Sequence, residues 1–167
     1  NRKAGTYCIV ASGRGPTEKE LGQVIDAVRE IRDTMPLKIC ACLGILNDDQ
    51  ASRLKEAGVH RYNHNLNTSR ANYGNITTTH SYDQRVETVD TVKKAGMSPC
   101  SGVIIGMGES DEEIADMAYA LRELDADSIP INFLNAIPGT PLENYGRTPA
   151  LKGLRVLALF RFLCPDK

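Results

Sequence analysis

The sequence has no excess of charge of either sign and no long apolar run, and both absences exclude classes of function. Its 167 residues carry 20 basic and 21 acidic side chains, a formal net charge of −1. Nothing therefore favours a nucleic acid or an anionic membrane as a partner. No apolar run approaches the length that spans a bilayer, and the sequence does not open on the apolar stretch of a signal peptide. We expect a cytoplasmic protein.

Cysteines are few and odd in number, which argues against a disulfide framework. The five are Cys8, Cys40, Cys42, Cys100 and Cys164. Without a secretory signal, such thiols are either small buried hydrophobes or ligands of a metal. Cys42 and Cys164 are interpreted as buried thiols, and the placement of the other three decides between the alternatives.

Short apolar runs alternate with amphipathic helical stretches. The apolar runs are TYCIVASG (6–13), LKICACLG (37–44), VHRYNHNL (59–66), SPCSGVIIG (98–106) and DSIPINFLN (127–135). Helices are predicted over about 17–34, 47–58, 81–95, 110–124 and 150–163. Strands that alternate with helices of this length are parallel. The expected fold is α/β, a partial (β/α)8 TIM-type barrel of five to six βα units in one domain over residues 1–167. A closed barrel has eight units and typically ~250 residues, which predicts truncation at both ends.

Thiols and amides occupy strand positions where aliphatic packing is expected. Cysteines on successive inward positions favour an iron–sulfur cluster, because thiolate is the preferred ligand of such clusters. In YNHNLNTS (62–69) three asparagines fall at every second position, and alternation would send them to one side of a strand and His64 to the other. A row of amides suits ribose hydroxyls, a carboxylate or a ureido ring. The alternative is a turn or an internal hydrogen-bond network.

The segment CSGVIIGMGES (100–110) gives a weaker signal. Gly102, Gly106 and Gly108 would permit close approach of a nucleotide-like ligand, although their spacing is not a dinucleotide fingerprint. Glu109 could bind a ligand amine or cap the next helix. Arg85 is more often a solvated surface arginine than a ligand group.

Five stretches together resemble the biotin synthase family of radical S-adenosylmethionine enzymes. They are CACLG (40–44), YNHNLNTS (62–69), ITTTHSYDQRVETV (76–89), CSGVIIGMGES (100–110) and IPINFLNAIPGTPL (129–142). The resemblance implies a [4Fe–4S] cluster that cleaves S-adenosylmethionine and a 5′-deoxyadenosyl radical that removes hydrogen from dethiobiotin. It further implies a [2Fe–2S] cluster that donates the sulfur of biotin, an electron donor such as flavodoxin or ferredoxin, and a homodimer.

The resemblance also implies roles for individual residues. The ligands of the [2Fe–2S] cluster, and with it the catalytic positions, would be Cys8, Cys40 and Cys100. The residues at S-adenosylmethionine would be Asn65, Asn67, Arg85 and Ile104. The residues at dethiobiotin would be Asn63, Asn65 and Asn132, the last at its ureido ring.

Some features of that family are absent from the sequence. No three cysteines have the CX3CX2C spacing that binds the [4Fe–4S] cluster, and the motif is expected before residue 1. The fourth [2Fe–2S] ligand, an arginine, is expected beyond Lys167. Many relatives have Asp where this chain has Asn67, which weakens the expected ribose contact. The resemblance therefore implies an enzyme of which this chain alone is an inactive fragment.

Other functions remain open on the sequence. One is another radical S-adenosylmethionine enzyme with a related barrel. A barrel hydrolase or aldolase would need carboxylates, histidines or a lysine at the strand ends, where they are scarce. A noncatalytic scaffold would accept Ser or Ala at its inward cysteines.

Overall fold

A computed structural model describes residues 4–167 and confirms the α/β class with parallel sheets. The strands are β1 (Thr6–Val10), β2 (Lys38–Cys42), β3 (Arg61–Asn63), β4 (Ser98–Cys100), β5 (Val103–Ile105) and β6 (Ile131–Phe133). The helices are α1 (Glu18–Thr34), α2 (Asp48–Ala57), α3 (Tyr73–Ile76), α4 (Tyr82–Lys94), α5 (Asp111–Glu123) and α6 (Ala150–Leu163), with a 3-10 turn at Glu143–Tyr145. None of the helices in this part of the chain combines the length and the apolar character needed to cross a bilayer.

The described residues divide into two compact units. The first comprises residues up to 64 together with 83–100, and the second comprises 65–82 together with 101–167. The first unit contains a parallel sheet with the order β1-β2-β3-β4. The second contains the parallel pair β5-β6, to which Asn67 adds one parallel bridge at Val103.

The core of the first unit lies between its sheet and its helices. Its buried residues include Leu21, Ile25 and Val28 of α1, Ala51, Leu54 and Ala57 of α2, and Ile39, Ala41 and Tyr62 of the sheet. The Tyr62 hydroxyl donates to the carbonyl of Gly44 at 2.7 Å and accepts from the Leu43 amide at 3.0 Å. Because burial raises the pKa of Tyr62, this hydroxyl stays protonated and ties β3 to the end of β2.

Helix boundaries follow the local sequence. Thr17 and Glu20 form a capping box at the start of α1, with the Thr17 amide donating to the Glu20 carboxylate at 2.8 Å. Asn47 caps α2 in the same manner, and Gly58 ends it with a φ of 119°, a conformation that glycine adopts without a steric cost. The predicted boundaries of these two helices are confirmed.

The apolar run 98–106 was expected to form one strand, and here the prediction is wrong. It forms β4 and β5, which belong to different sheets and are separated by Ser101 and Gly102. The cause is a close approach of backbone at Gly102, where a Cβ would lie 1.9 Å from the carbonyl oxygen of Pro130. The neighbouring Ser101 amide donates to Ser128 O at 3.0 Å, so the chain turns toward the segment before β6.

We predict that Gly102→Ala destabilises the protein by about 3 kcal/mol or more, because an added methyl group must displace backbone rather than a flexible side chain. Urea unfolding followed by circular dichroism would measure the change. Gly22→Ala is the control, since its Cβ would meet nothing within 4 Å inside α1, and it should raise stability by about 0.5–1 kcal/mol. Equal stabilities of Gly102→Ala and the parent would contradict this packing.

Candidate iron–sulfur and ligand site

The cysteines of β1 and β2 lie on the sheet face opposite the helices. Ile39 and Ala41 pack into the core between sheet and helices, so the alternation of side chains turns Cys40 to the other face. Cys8 is the register partner of Cys40 on β1 and shares that face. Cys40 is buried, whereas Cys8 is exposed.

The same face continues onto β3 and β4. Tyr62 lies in the core, so its neighbours Arg61 and Asn63 point to the cysteine side. Arg61 is in register with Cys40, and Asn63 is in register with Cys100 on β4. The Asn63 amide nitrogen lies 3.5 Å from the sulfur of Cys100 and can donate to it. Three strands therefore bring the three candidate ligand cysteines to one face with an amide and a guanidinium, and by the same alternation Cys42 of β2 also lies on that face.

The electrostatics of Cys40 show that the neighbouring thiols act on it. The pKa of Cys40 is raised to about 12, chiefly by burial and further by the nearby thiols of Cys8 and Cys100, while Arg61 opposes the shift. Burial likewise raises the pKa of Cys42, where Arg85 opposes the shift. Without a metal, Cys40 is thus a neutral thiol at physiological pH.

Asn65 and Asn67 lie in the second unit and are fixed by backbone contacts with the segment that contains β5. The side-chain oxygen of Asn65 accepts from the Gly102 amide at 3.0 Å. Asn67 accepts from the Ile104 amide at 2.7 Å and donates its own amide to the Gly102 carbonyl at 3.1 Å. Both asparagines thus flank the start of β5.

The three asparagines were expected to alternate along one strand, and this prediction is wrong. Strand β3 ends at Asn63, and Asn67 has a φ of 71°. Strand alternation cannot be continued through a left-handed residue. Asn is one of the few residues other than glycine that tolerates this conformation, because its short polar side chain bonds locally.

Asn132 and Ile104 are register partners on β6 and β5. The Asn132 side chain is exposed and its amide nitrogen lies 3.5 Å from the Val103 carbonyl. The second unit thus brings together four of the residues expected at cofactor or substrate: Asn65, Asn67, Ile104 and Asn132. Arg85 is half-buried on α4 of the first unit, and its charge acts on Cys42.

The glycines of this segment have an internal packing role, and their expected role in the approach of a ligand stays a prediction. Gly106 and Gly108 have φ values of 103° and 94°, and a Cβ on either would meet Thr148 or Tyr145 within 2.8 Å. Glu109 is buried, and its carboxylate accepts from the amides of Gly106 at 2.6 Å and Met107 at 2.8 Å. The helix-cap role weighed for Glu109 is wrong, because Ser110 caps α5 and the Glu109 carboxylate binds the loop that precedes it. The alternative role at a ligand amine stays a prediction.

Two groups of residues were missed by the sequence analysis. Arg61 is in register with Cys40. It lies two residues before Asn63 on β3, and this spacing could have predicted that both side chains share one face. The other is a buried polar network around Asn72, which joins Thr68, Ser69 and Met107. No spacing rule signals that network, because its members meet only after folding.

Two family models match the sequence of this chain. The model of the Radical SAM superfamily matches residues 1–121. The chain belongs to the radical SAM superfamily. A second model, the Biotin and Thiamin Synthesis associated domain, matches residues 130–167.

Two curated relatives of this radical SAM chain are biotin synthases. This chain is 65% identical over 166 residues to biotin synthase from Bacillus pumilus, and the match covers 99% of this chain and 50% of that protein. It is 65% identical over 163 residues to biotin synthase from Bacillus licheniformis, which covers 98% of this chain and 49% of that protein. The resemblance to biotin synthase is confirmed, and the chain spans about half the length of these relatives.

A solved structure supports the radical SAM fold. The crystal structure of methylornithine synthase matches with a TM-score of 0.81 at 19% identity, over 89% of this chain and 44% of that one. At that identity the similarity shows the fold alone.

Membership in the radical SAM superfamily implies a [4Fe–4S] cluster and S-adenosylmethionine. The 167 residues contain no CX3CX2C motif to hold that cluster. Within residues 4–167, no three His, Cys, Asp or Glu side chains are grouped so that they could hold a metal ion. A [2Fe–2S] cluster distributes its ligands over two irons, and three thiols from three strands on one sheet face are a donor set that fits it.

We predict that alkylation of the cluster-free protein separates the cysteines. At pH 9, a pKa of about 12 leaves Cys40 roughly 500-fold less thiolate than an unperturbed cysteine, and only thiolate is nucleophilic. Exposed Cys8 should therefore react with iodoacetamide well before Cys40, as peptide mass spectrometry would show. In urea the two should react at similar rates. Equal rates in the folded protein would contradict the burial of Cys40.

Proposed function

We propose that this protein acts as a biotin synthase, converting dethiobiotin to biotin by radical insertion of sulfur. The observation that carries the proposal is the register of the first sheet, which aligns Cys8 with Cys40 and Asn63 with Cys100 on the face opposite the helices. The identity of 65% to biotin synthase along 99% of the chain supports it. No described contact favours a different radical SAM reaction.

The finer fold belongs to the same proposal. Both parallel sheets would be segments of the wall of a (β/α)8 barrel, with the residues of this chain forming a single domain. The order β1-β2-β3-β4 along the first sheet supports this, since successive parallel strands with intervening helices build such a wall. The cysteine face would then point to the barrel interior.

The cysteines would hold the [2Fe–2S] cluster. Cys8, Cys40 and Cys100 each come from a different strand, so a rigid sheet rather than a loop fixes their spacing. Loading requires loss of the thiol protons, and Arg61 favours the thiolate of Cys40. When bound, this cluster would supply sulfur, while a [4Fe–4S] cluster with S-adenosylmethionine would supply the radical that removes hydrogen from dethiobiotin.

The asparagines would orient the two small molecules. Asn65, Asn67 and Ile104 would bind S-adenosylmethionine, with Arg85 contributing charge, and Asn63, Asn65 and Asn132 would bind dethiobiotin. Amides donate and accept hydrogen bonds without adding charge. Because a carbon radical attacks whatever C–H bond lies near it, fixed contact between the two ligands and exclusion of water are the protein's main contributions.

The proposal has further requirements. Three cysteines spaced CX3CX2C in the same polypeptide would hold the [4Fe–4S] cluster, so these 167 residues alone would be inactive. An electron donor such as flavodoxin or ferredoxin would supply the reducing electron. We also propose a homodimer that works in the cytoplasm without a nucleic-acid or membrane partner.

We predict that Cys40→Ala, in protein expressed from the complete gene, abolishes the [2Fe–2S] cluster while leaving cleavage of S-adenosylmethionine measurable. Anaerobic reconstitution with Mössbauer spectroscopy would resolve the two clusters. Cys42→Ala is the matched control, because it removes a thiol two residues along the same strand and should leave both clusters intact. An unchanged [2Fe–2S] signal in Cys40→Ala would overturn the ligand assignment.

We predict that Asn132→Ala weakens dethiobiotin binding roughly tenfold, about the effect of losing one hydrogen bond to the ligand. The dissociation constant of S-adenosylmethionine should change less than about twofold, because the proposed hydrogen bond of Asn132 is to dethiobiotin. Anaerobic titration calorimetry with each ligand would measure both constants. Equal losses for the two ligands would contradict a substrate role for this side chain.

A further inference from the structure

We propose that Asn72 is a positioning residue that holds Asn67 in place for S-adenosylmethionine, an inference that rests on the cofactor role proposed for Asn67. Asn72 precedes α3 in the second unit and is buried, with 7% of its surface exposed. Neither its position in the sequence nor the family resemblance pointed to it. It touches no candidate ligand position, so its effect must pass through other residues.

The Asn72 side chain uses both of its donors on two different segments. Its amide nitrogen donates to the Thr68 hydroxyl at 3.2 Å and to the Met107 carbonyl at 3.0 Å. Its oxygen accepts from the Asn75 side chain at 3.1 Å. Because a carbonyl can only accept, the contact with Met107 fixes which end of the amide faces it.

These two segments carry the candidate cofactor residues. Thr68 directly follows Asn67, and Met107 lies just beyond β5, which contains Ile104. The segments already meet once, where Asn67 bridges Val103 and accepts from the Ile104 amide at 2.7 Å. Asn72 joins them a second time through Thr68, the residue after Asn67, so the chain is crosslinked at Asn67 and again at its neighbour.

The turn that carries Asn72 is itself anchored. The Ser69 hydroxyl accepts from the Asn72 amide at 2.9 Å and donates to the Glu113 carboxylate at 2.7 Å. Glu113 also accepts from the Ser110 amide, and these two hydrogen bonds lower its pKa, the bond from Ser110 more strongly. The turn is thereby fastened to the first turn of α5.

Two crosslinks matter here because Asn67 has a left-handed backbone. Asn tolerates that region but does not prefer it to the ordinary backbone conformations, so it keeps a left-handed backbone only where its surroundings fix it. Without the contact between Asn72 and Met107, the backbone after Asn67 can relax. The side-chain amide of Asn67 then loses the fixed direction that ligand binding needs. The cost would appear mainly as weaker binding of S-adenosylmethionine.

Asn72→Ala tests this in protein expressed from the complete gene, compared with Asn75→Ala and Thr88→Ala. Asn75→Ala removes the bond to the Asn72 oxygen but keeps both donors on Thr68 and Met107. Thr88→Ala removes a buried hydroxyl from α4 of the first unit, where it donates to Gln84 O at 2.9 Å, and matches the loss of a buried polar group. Thermal melts first give the melting temperature of each variant. Calorimetric titrations with S-adenosylmethionine and dethiobiotin, and assays of [2Fe–2S] content, are then made below the lowest of these temperatures.

We expect Asn72→Ala to weaken S-adenosylmethionine binding roughly tenfold with dethiobiotin binding and [2Fe–2S] content unchanged, and both controls to bind the cofactor as the parent does. Asn72→Asp should bind as weakly as Asn72→Ala, since a carboxylate cannot donate to the Met107 carbonyl. Parent-like cofactor binding by Asn72→Ala, or an equal loss in Asn75→Ala or Thr88→Ala, would overturn the inference. Failure of the parent itself to bind S-adenosylmethionine would instead overturn the proposed function.

Discussion

The alternation of side chains in a parallel sheet covered by helices on one face is the constraint on which the candidate site depends. Ile39, Ala41 and Tyr62 must face the helices to form the core. Their neighbours on β2 and β3 are then forced to the opposite face whatever their chemistry. A hydrophobic requirement on one face therefore places the thiol of Cys40 and the amide of Asn63 on the other.

Regular elements were predictable because their signals are local. The capping residues Thr17 and Asn47 and the αL glycine at 58 fix helix ends through contacts a few residues apart. The parallel class followed from the alternation of strands and helices. The break between β4 and β5 was not predictable, because it depends on the Pro130 carbonyl, about 30 residues away along the chain and brought near Gly102 only by folding.

The candidate site was partly predictable for the same reason. Once the register of β1 and β2 is known, the alternation of side chains along each strand is sufficient to place Cys8 and Cys40 on the same face. The contacts of Glu109 and Asn72 required coordinates, since each satisfies backbone groups of a loop whose path the sequence does not specify. Buried polar side chains of this kind are recognised by what they bond to, and a sequence alone does not give their partners.

The left-handed conformation of Asn67 has a consequence for how this position can diverge. Asn and Asp are the residues besides glycine that accept positive φ most readily. An exchange of amide for carboxylate at position 67 would thus leave the main chain undisturbed while changing the charge offered to a ligand. The site can in this way alter its chemistry without any alteration of its architecture.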